Sequence, residues 1–308
     1  MERSYFSKGC RGEIVIRLQQ ALQQQGFAPP VLVKFVDGDF GEKTATAVRG
    51  LQEARGFTAS GEIDARTWNA ALDAPLPSLF ERALQLTADF EGHGFGLAQG
   101  NFDGAGITWG IIGFTLAGGE LQRVMQEIDR RAPGTVDAAF GALAPEWRSV
   151  LAKKQREQIA WADGISLGTS KARLPPPWVQ VFARLGALPV TQQVQIDAAR
   201  EKYFEPALRS AQRLGLHTER GIALCFDTHV QSGSVRPEVF QAAADFPAGA
   251  TEGDRLPLLA QAIAQAVSRP QFRADVLARR MCIATGSGRV HGADYKVASW
   301  GLGLFRAE

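Results

Sequence analysis

The sequence predicts a mainly α-helical protein with a small three-helix domain at its N-terminus and a larger helical domain after it. Apolar residues recur at helical spacing over most of the 308 residues. A proline-containing run, 74–78, separates two such regions. The composition, 45% hydrophobic and 21% charged, allows a full globular core. We therefore place the first domain at residues 1–73, a linker at 74–78 and the second domain at 79–308.

Charge and cysteine content exclude several classes of protein. A net charge of +2 gives no bulk attraction to nucleic acid. Cys10, Cys225 and Cys282 are odd in number and lack CxxC spacing, so we expect no disulfide framework, no metal and no cofactor.

No apolar run reaches membrane-spanning length, and the first residues lack the apolar core of a signal peptide. We expect a monomer that is made in the cytoplasm of a bacterial host and does not insert into membranes.

The N-terminal domain contains three predicted helices. The first ends at Gly26, before a break at Pro29–Pro30. The second follows a turn at 36–41, and the third starts near Asp64, a predicted N-cap. The first two also repeat a short pattern, in which a Leu-Gln pair is followed by Gly-Phe, and this predicts two copies of a helix–loop unit. The predicted inner faces carry Ile14, Leu18, Leu22, Thr44, Ala47, Val48, Leu51, Trp68 and Leu72.

The second predicted helix and the turn before it contain the run Asp-Gly-Asp-Phe-Gly-x-x-Thr-x-x-Ala-Val-x-x-Leu-Gln, with Gly61 and Thr67-Trp68 downstream. This pattern resembles the peptidoglycan-binding domain of bacterial and phage cell-wall hydrolases. It implies that the partner of this domain is the glycan strand of peptidoglycan. In that family the glycan-binding groove lies beside the loop. The candidate binding residues are therefore Asp39, Phe40, Gln52 and Arg55.

The larger domain begins with a predicted helix from Ser78 to Phe90, which Glu91 closes. A glycine-rich turn around Asp103 follows. Further helices are predicted at 120–131, 146–162, 190–215 and 219–232, with a rigid proline loop at 174–178 and a polar loop at 246–255. Two more helices follow that loop, and residues 295–305 complete the fold.

Glu91 and Asp103 lie twelve positions apart in contrasting surroundings. Glu91 ends an apolar helix, where partial burial disfavours the charged form and favours a carboxyl group that keeps its proton near neutrality. Asp103 is followed by Gly104 and Gly106, which predict a tight turn with free backbone N–H groups and no bulk over the carboxylate. We therefore expect Asp103 to be ionised and open to water. One protonated acid and one ionised base across a cleft are the groups that glycoside hydrolysis needs.

The run that starts at Asp103, Asp-Gly-Ala-Gly-Ile-Thr-Trp-Gly-Ile-Ile-Gly-Phe, resembles the signature of the family-46 chitosanases of the lysozyme superfamily. The resemblance implies a lysozyme-like fold and an inverting reaction. It also implies that Glu91 is the general acid, Asp103 the general base and Thr108 the hydroxyl that holds the attacking water. The sequence departs from the family pattern at Ala105, where the family usually has arginine.

Asp227 lies inside the apolar helix predicted at 219–232, where an unpaired charge would cost several kcal/mol. Arg279, Arg280 and Arg289 are candidate partners. In the chitosanases an aspartate and two arginines form a buried network behind the catalytic glutamate. The resemblance assigns this role to Asp227, Arg279 and Arg289, which would hold Glu91 in place and tune its affinity for the proton.

Three residues of the larger domain are predicted substrate contacts: Glu120, His229 and Gln231. Glu120 aligns near an acidic residue that contacts the sugar in the chitosanases, although a charge that complements the helix dipole explains it equally well. Gln231 lies one helical turn from Asp227. Because His229 and His291 have no third ligand at metal spacing, we expect each to be structural or to lie at the cleft wall.

Together these features predict a small three-helix peptidoglycan-binding domain joined to a larger lysozyme-like, chitosanase-related helical domain. The predicted function is that of a phage or prophage endolysin, a muramidase-type glycosidase that reaches the cell wall after holin-type release or secretion. The sequence leaves two alternatives open, a chitosanase acting on chitosan and a non-catalytic wall-binding structural protein. It does not specify which glycosidic bond is cut, nor whether water or lytic transglycosylase chemistry cuts it.

Overall fold

A computed structural model of the chain describes residues 3–28, 34–92 and 94–307. These residues are mainly helical and form two compact units. The first unit combines residues 1–90 with 202–308, and the second contains residues 91–201. The chain break predicted at Pro29–Pro30 lies outside the described residues. Within the described ranges, no helix has both the length and the apolar character needed to cross a bilayer.

The chain starts with the three predicted short helices, α1 (Glu13–Gln24), α2 (Glu42–Ala54) and α3 (Ala65–Leu72). Asp64 caps α3 as predicted, because its side chain accepts a hydrogen bond of 2.6 Å from the backbone N–H of Thr67. The three helices close around a core in which the largest buried side chains are Phe6, Phe40 and Trp68.

The predicted repeat is present as two matching glutamine contacts. Gln19 of α1 donates to Thr44 Oγ1 at 3.0 Å, at the start of α2, and accepts two backbone N–H bonds from the turn before it. Gln52 of α2 donates to Thr67 Oγ1 at 3.2 Å, at the start of α3, and accepts the N–H of Gly61 at 2.9 Å. Each glutamine therefore joins its own helix to the next loop and the next helix.

Most residues of helix α4 (Leu79–Glu91) are buried. Its side towards the N-terminal helices carries polar groups that bond across the contact. Gln85 Oε1 accepts the backbone N–H of Ile14 at 3.3 Å, and Asp89 forms a salt bridge of 2.9 Å with Arg11. The N-terminal helices and α4 thus pack together in one compact unit.

The second unit contains a small antiparallel sheet and a set of helices. In the sheet, β1 (Ala98–Gln99) pairs with β2 (Thr108–Trp109), which pairs with β3 (Phe114–Thr115). The helices pack around a cluster of aromatic rings that includes Trp147, Trp178 and Phe182. They are α5 (Glu120–Arg131), α6 (Thr135–Phe140), α7 (Ala144–Leu151), α8 (Gln155–Ile165), α9 (Pro176–Gly186) and α10 (Pro189–Ala199).

The chain then returns to the first unit through a π-helical turn, Arg200–Phe204. The helices that follow this turn are α11 (Glu205–Arg213), α12 (Glu219–Ser232), α13 (Pro237–Ala244), α14 (Glu252–Gln265) and α15 (Arg273–Thr285). After α15 the chain forms a hairpin of two strands, β4 (Ser287–Val290) and β5 (Ala293–Lys296).

Helix α5 and helix α12 have the predicted bounds, 120–131 and 219–232. Other predictions need correction. The helix expected at 146–162 is two helices, since the chain breaks between α7 and α8. The helix expected at 190–215 is interrupted by the π-helical turn, after which a proline stands in the first turn of α11, where its missing N–H is tolerated. The predicted proline loop leads directly into α9, because prolines also begin helices.

Candidate active site

Glu91 ends α4 at the position that the sequence predicts. Its side chain is half-buried. Gly92 follows in the left-handed conformation, with φ 66°, and this ends the helix. The carboxyl group of Glu91 therefore stands between an apolar helix and an exposed turn, partly shielded from bulk water.

Asp103 has the contrasting surroundings that the sequence predicts, because its side chain is exposed. Its Oδ1 accepts a hydrogen bond of 3.0 Å from the backbone N–H of Ala105. Gly104 lies between them with φ 86°, a conformation that glycine adopts without strain. The turn thus fixes the direction of the Asp103 carboxylate and leaves it open to water.

Asn101 holds the Asp103 turn in place, and the sequence analysis did not select it. Its Oδ1 accepts the backbone N–H of Gly106 at 2.8 Å, and its Nδ2 donates to Asp163 Oδ1 at 3.1 Å. Lys171 Nζ in turn donates to the backbone carbonyl of Asp163 at 2.9 Å. An asparagine beside a glycine-rich run is typical of any turn, so no sequence pattern marks Asn101 for this role.

Thr108 lies in β2 and is 5% exposed. Its Oγ1 is buried and has no hydrogen-bond partner among the described residues. Most buried hydroxyl groups have a hydrogen-bond partner, because leaving one unpaired costs about 1–3 kcal/mol. A water molecule or a substrate hydroxyl that bonds to Thr108 Oγ1 would remove this cost.

Gln195 on α10 joins the segments that follow Glu91 and Thr108. Its side chain is fully buried. Oε1 accepts the backbone N–H of Ile111 at 2.9 Å, and Nε2 donates to the carbonyl of Phe95 at 3.0 Å. This bridge fixes both segments to the same helix within the second unit.

Asp227 of α12 is fully buried in the first unit and bonds to two arginines of α15, as a buried charge requires. Arg279 Nη2 lies 2.7 Å from Asp227 Oδ1, and Arg280 Nη1 pairs with Oδ2. Thr87 Oγ1 also donates to Oδ1, at 3.0 Å. Burial alone would raise the pKa of Asp227, but the guanidinium groups of Arg279 and Arg280 hold that pKa below its usual range.

The Asp227 network reaches α4 one helical turn before Glu91. Thr87, which bonds to Asp227, is four residues from Glu91 in the same helix. Arg279 also lies over the Phe90 ring, 5.4 Å from the ring centre. The network therefore stabilises the last turn of the helix that carries Glu91.

The prediction that Arg289 completes this network is wrong. Arg289 lies in β4, its side chain is 69% exposed, and it lies 4.0 Å from Asp294. Successive residues of a strand point to opposite faces, and Val290 is the buried one. Arg280 provides the second guanidinium instead, from the same helix as Arg279.

The structure places the predicted substrate contacts of α12 inside the first unit. His229 is 5% exposed, and its Nε2 lies 2.9 Å from Ser210 Oγ. Burial lowers the pKa of His229, so the ring is neutral. This buried position contradicts the predicted substrate contact of His229. Gln231 is half-buried and bonds to Arg280 and Asp275, each at 2.9 Å, so it belongs to the network around Asp227.

Glu120 is the first residue of α5 and is half-buried. Thr115 Oγ1 donates to its Oε2 at 3.1 Å, and Arg123 lies 3.9 Å from its Oε1. A carboxylate at this position complements the positive end of the helix dipole, the plainer of the two explanations. The role of Glu120 in sugar binding stays a prediction.

The four candidates in the N-terminal domain fall into two pairs. Phe40 and Gln52 are 2% and 1% exposed, so the prediction that they contact glycan is wrong. Phe40 packs in the core, and the side chain of Gln52 forms hydrogen bonds within the protein. Asp39 and Arg55 are exposed and stay predicted glycan contacts.

Two protein families match the chain. Residues 11–71 match a peptidoglycan binding domain. Residues 87–251, more than half of the chain, match glycosyl hydrolase family 46. Among curated proteins there is no match.

Solved chitosanase structures are similar to this one. A family 46 chitosanase from Gynuella sunshinyii, in complex with chitotetraose, has a TM-score of 0.51 at 22% identity, over 71% of this chain and 98% of that chain. A native chitosanase from Bacillus subtilis MY002 has a TM-score of 0.48 at 21% identity, over 70% and 94% of the two chains. The similarity to the first enzyme shows a shared fold. By its sequence match and this fold, the chain belongs to glycosyl hydrolase family 46 and carries a peptidoglycan binding domain before its glycosidase domain.

Proposed function

We propose that the protein is a peptidoglycan hydrolase, a modular enzyme of the endolysin type that cleaves wall glycan between amino sugars by inverting acid/base hydrolysis, with muramidase specificity. The observation that carries this proposal is the presence in one chain of a peptidoglycan binding domain and a family 46 glycosidase domain. A glycosidase that is bound to the wall acts at a raised effective concentration of wall glycan.

In this mechanism Glu91 is the general acid. It gives its proton to the glycosidic oxygen as the bond to the anomeric carbon breaks. Glu91 is half-buried at the end of α4, the position that the sequence predicts for the acid. The bonds of Asp227 to Thr87, Arg279 and Arg280 keep the same helix turn in place.

Asp103 is the general base, and Thr108 helps to hold the water that Asp103 activates. Asp103 takes a proton from that water, whose oxygen then attacks the anomeric carbon from the side opposite the leaving group. The unpaired, buried hydroxyl of Thr108 supports this assignment, since the bound water would be its partner. One proton leaves Glu91 and one arrives at Asp103, and exchange with solvent restores both groups.

Ala105 supports wall glycan over chitosan as the substrate. The chitosanase signature usually has an arginine at this position, between the two glycines of the turn. The alanine is half-buried and lies directly beside the Asp103 carboxylate, which accepts its backbone N–H. A small side chain leaves more room for the N-acetyl and lactyl groups of wall sugars than an arginine does.

Chitosan hydrolysis is the second candidate, and the match to family 46 with the fold of a chitosanase favours it. The two candidates differ in the charge of the substrate. Chitosan is a polycation and needs an acidic cleft, whereas wall glycan carries acetylated amines and lactyl-linked carboxyl groups. Release of reducing ends from purified sacculi and from chitosan, measured in parallel, separates them.

The test of the mechanism uses Glu91→Gln and Asp103→Asn, with Glu201→Gln as the control because Glu201 is an exposed acid of the same unit. We expect each of the first two variants to lose at least about 100-fold in kcat on sacculi, the usual effect of a general acid or base, and the control to keep full activity. Mass spectrometry of the released muropeptides identifies the bond that is cut. Activity on chitosan alone would refute wall glycan as the substrate. Lysis of cells by Glu91→Gln would refute the proposed enzymatic mechanism.

A further inference from the structure

His291 contacts the carbonyl end of the helix that carries the proposed acid. Its Nδ1 lies 2.9 Å from the backbone oxygen of Phe90, and its Nε2 lies 2.5 Å from Asp275 Oδ1 on α15. Phe90 is the residue immediately before Glu91. The contact is therefore made at the last peptide group before the proposed acid.

Both partners of the His291 ring are acceptors. A carbonyl oxygen has no proton to give, so the contact with Phe90 is a hydrogen bond in which Nδ1–H donates. The last carbonyls of a helix lack partners within the helix and form the negative end of its dipole. A donor at this point stabilises the last turn of α4.

The surroundings of the ring fix its orientation. His291 has φ 49° and Gly292 has φ 84°, so a two-residue turn with left-handed backbone joins β4 to β5. Positive φ is uncommon for a residue other than glycine and marks a position that the surrounding structure determines. Asp275 also accepts a bond of 2.9 Å from Gln231, whose Oε1 accepts one of 2.9 Å from Arg280. The ring is thus held both by the hairpin and by α15.

We propose that His291 is a positioning residue for the catalytic glutamate. By donating Nδ1–H to the Phe90 carbonyl it keeps the last turn of α4 closed, and this determines where Glu91 presents its carboxyl group. The proposal rests on the proposed function of Glu91 as general acid. It is distinct from the Asp227 network, which holds α4 one turn earlier through Thr87.

Two substitutions of His291 separate the donor bond from a merely structural role. His291→Gly removes the ring, and glycine adopts the positive φ without strain. His291→Asn places an amide nitrogen where Nδ1 stood, carries no charge and also tolerates positive φ. The matched control is His217→Asn, since His217 is an exposed histidine of the same unit, away from α4. Rates are measured on sacculi, with kcat and KM determined separately.

For His291→Gly we expect kcat to fall about tenfold, the lower end of what outer-shell partners contribute, with KM within about twofold of the parent. His291→Asn should recover kcat to within about threefold, because its amide nitrogen still donates to the Phe90 carbonyl. Amide hydrogen exchange in the last turn of α4 should be at least about threefold faster in His291→Gly than in the parent. His217→Asn should change none of these quantities.

The proposal is overturned if His291→Gly keeps the parent kcat, or if His291→Asn is as impaired as His291→Gly. Should His291→Gly fail to fold, His291→Asn decides alone, and a loss of more than about threefold in its kcat overturns the proposal. An active Glu91→Gln variant would refute the proposed function and with it the catalytic part of this inference. In that case the exchange rates would still show whether His291 closes the end of α4, so the two failures are distinguishable.

Discussion

A substitution that removes the unpaired hydroxyl of Thr108 tests its role in function separately from any role in stability. Thr108→Val keeps the shape of the side chain and removes an oxygen that has no partner among the described residues. We expect stability to stay within about 1 kcal/mol of the parent or to rise, because no protein hydrogen bond is lost. The kcat on sacculi should fall about 10- to 100-fold, since the attacking water loses a partner.

Thr191→Val is the matched control for Thr108→Val. Thr191 is also a fully buried threonine of the second unit, and its Oγ1 likewise has no partner among the described residues. It lies in α10 rather than beside Asp103. Thermal unfolding and initial rates should show the same small stability change in both variants and a lower kcat only in Thr108→Val. A Thr108→Val enzyme with full activity would contradict the assignment of Thr108.

Asp227 controls how stability responds to acid. Its folded-state pKa is held below the usual value by Arg279 and Arg280, so it adds stability above its unfolded pKa of about 3.9. This contribution is lost as the pH falls through the lower, folded-state pKa. We expect Asp227→Asn to lose about 3–5 kcal/mol of unfolding free energy at neutral pH, because two buried guanidinium groups lose their carboxylate.

Urea unfolding between about pH 2 and pH 7 tests the role of Asp227. The parent should become less stable below about pH 4, and Asp227→Asn should show a smaller change over that range. Asp294→Asn is the control, because the side chain of Asp294 is 84% exposed. Equal acid dependence in the parent and in Asp227→Asn would show that this carboxylate is not the group responsible.

At the scale of elements, the sequence predicted helices best where the pattern was long and regular. Helix α5 combines a regular apolar stripe with two glycines before it, and its predicted bounds are confirmed. The break between α7 and α8 left no comparable signal, because the apolar residues on either side continue the same spacing. The short strands β1 to β3 were also missed, since two-residue strands show no alternation.

The sequence predicted only those residues of the candidate active site that lie in a recognisable pattern. Glu91, Asp103 and Thr108 lie in one continuous run that carries the family pattern. Asn101 and His291 act through bonds to backbone groups, which any donor or acceptor can make, so no sequence pattern marks them. The resemblance to the chitosanases pointed to Arg289 rather than Arg280, and the hairpin geometry shows that Arg289 points to solvent.

The repeated helix–loop unit makes a prediction about the N-terminal domain. Gln19→Leu leaves two backbone N–H groups and Thr44 Oγ1 without their partner, and Gln52→Leu does the same to Gly61 and Thr67. We expect each variant to lose about 2–4 kcal/mol of unfolding free energy, because buried polar groups stay unpaired. The measurement is urea unfolding followed by circular dichroism.

Gln24→Leu is the control for the two glutamine variants, since Gln24 is exposed on α1. It should stay within about 0.5 kcal/mol of the parent. Similar losses in Gln19→Leu and Gln52→Leu would match the repeated geometry. If either variant were as stable as the control, the shared role of the two glutamines would be contradicted.

At the scale of the whole chain, the N-terminal helices are built into the first unit by several contacts. Arg11 pairs with Asp89 of α4, and its guanidinium lies 4.7 Å from the centre of the Tyr295 ring. Ser299 Oγ donates to the backbone carbonyl of Lys8 at 3.0 Å. Arg3 and Arg82 both pair with the buried Glu219.

The segment between the N-terminal helices and α4 also packs against the protein. Trp68 Nε1 donates to the carbonyl of Pro75 at 2.9 Å, inside the predicted linker 74–78. A freely moving tether would leave its backbone groups to water. These contacts indicate that the N-terminal helices fold cooperatively with the rest of the first unit.

A double-mutant cycle on Arg11 and Asp89 tests this cooperativity. The side chains of this pair are 28% and 17% exposed, whereas those of Lys8 and Glu42, a pair within the N-terminal part, are 56% and 63% exposed. We expect a coupling energy of about 1–2 kcal/mol for Arg11 and Asp89. For the exposed pair we expect a much smaller coupling energy, since water screens both charges.

The same variants show whether the first unit unfolds as one body. Amide hydrogen exchange followed across a urea titration reports on the N-terminal helices alone, and far-ultraviolet circular dichroism reports on all helices. Arg11→Ala should shift both unfolding curves by the same amount, because loss of the Arg11–Asp89 bond destabilises everything that folds with α4. If only the exchange curve moved, the N-terminal helices would be an independent module. Binding to wall glycan could then raise local concentration but could not transmit a change to the helix that ends at Glu91.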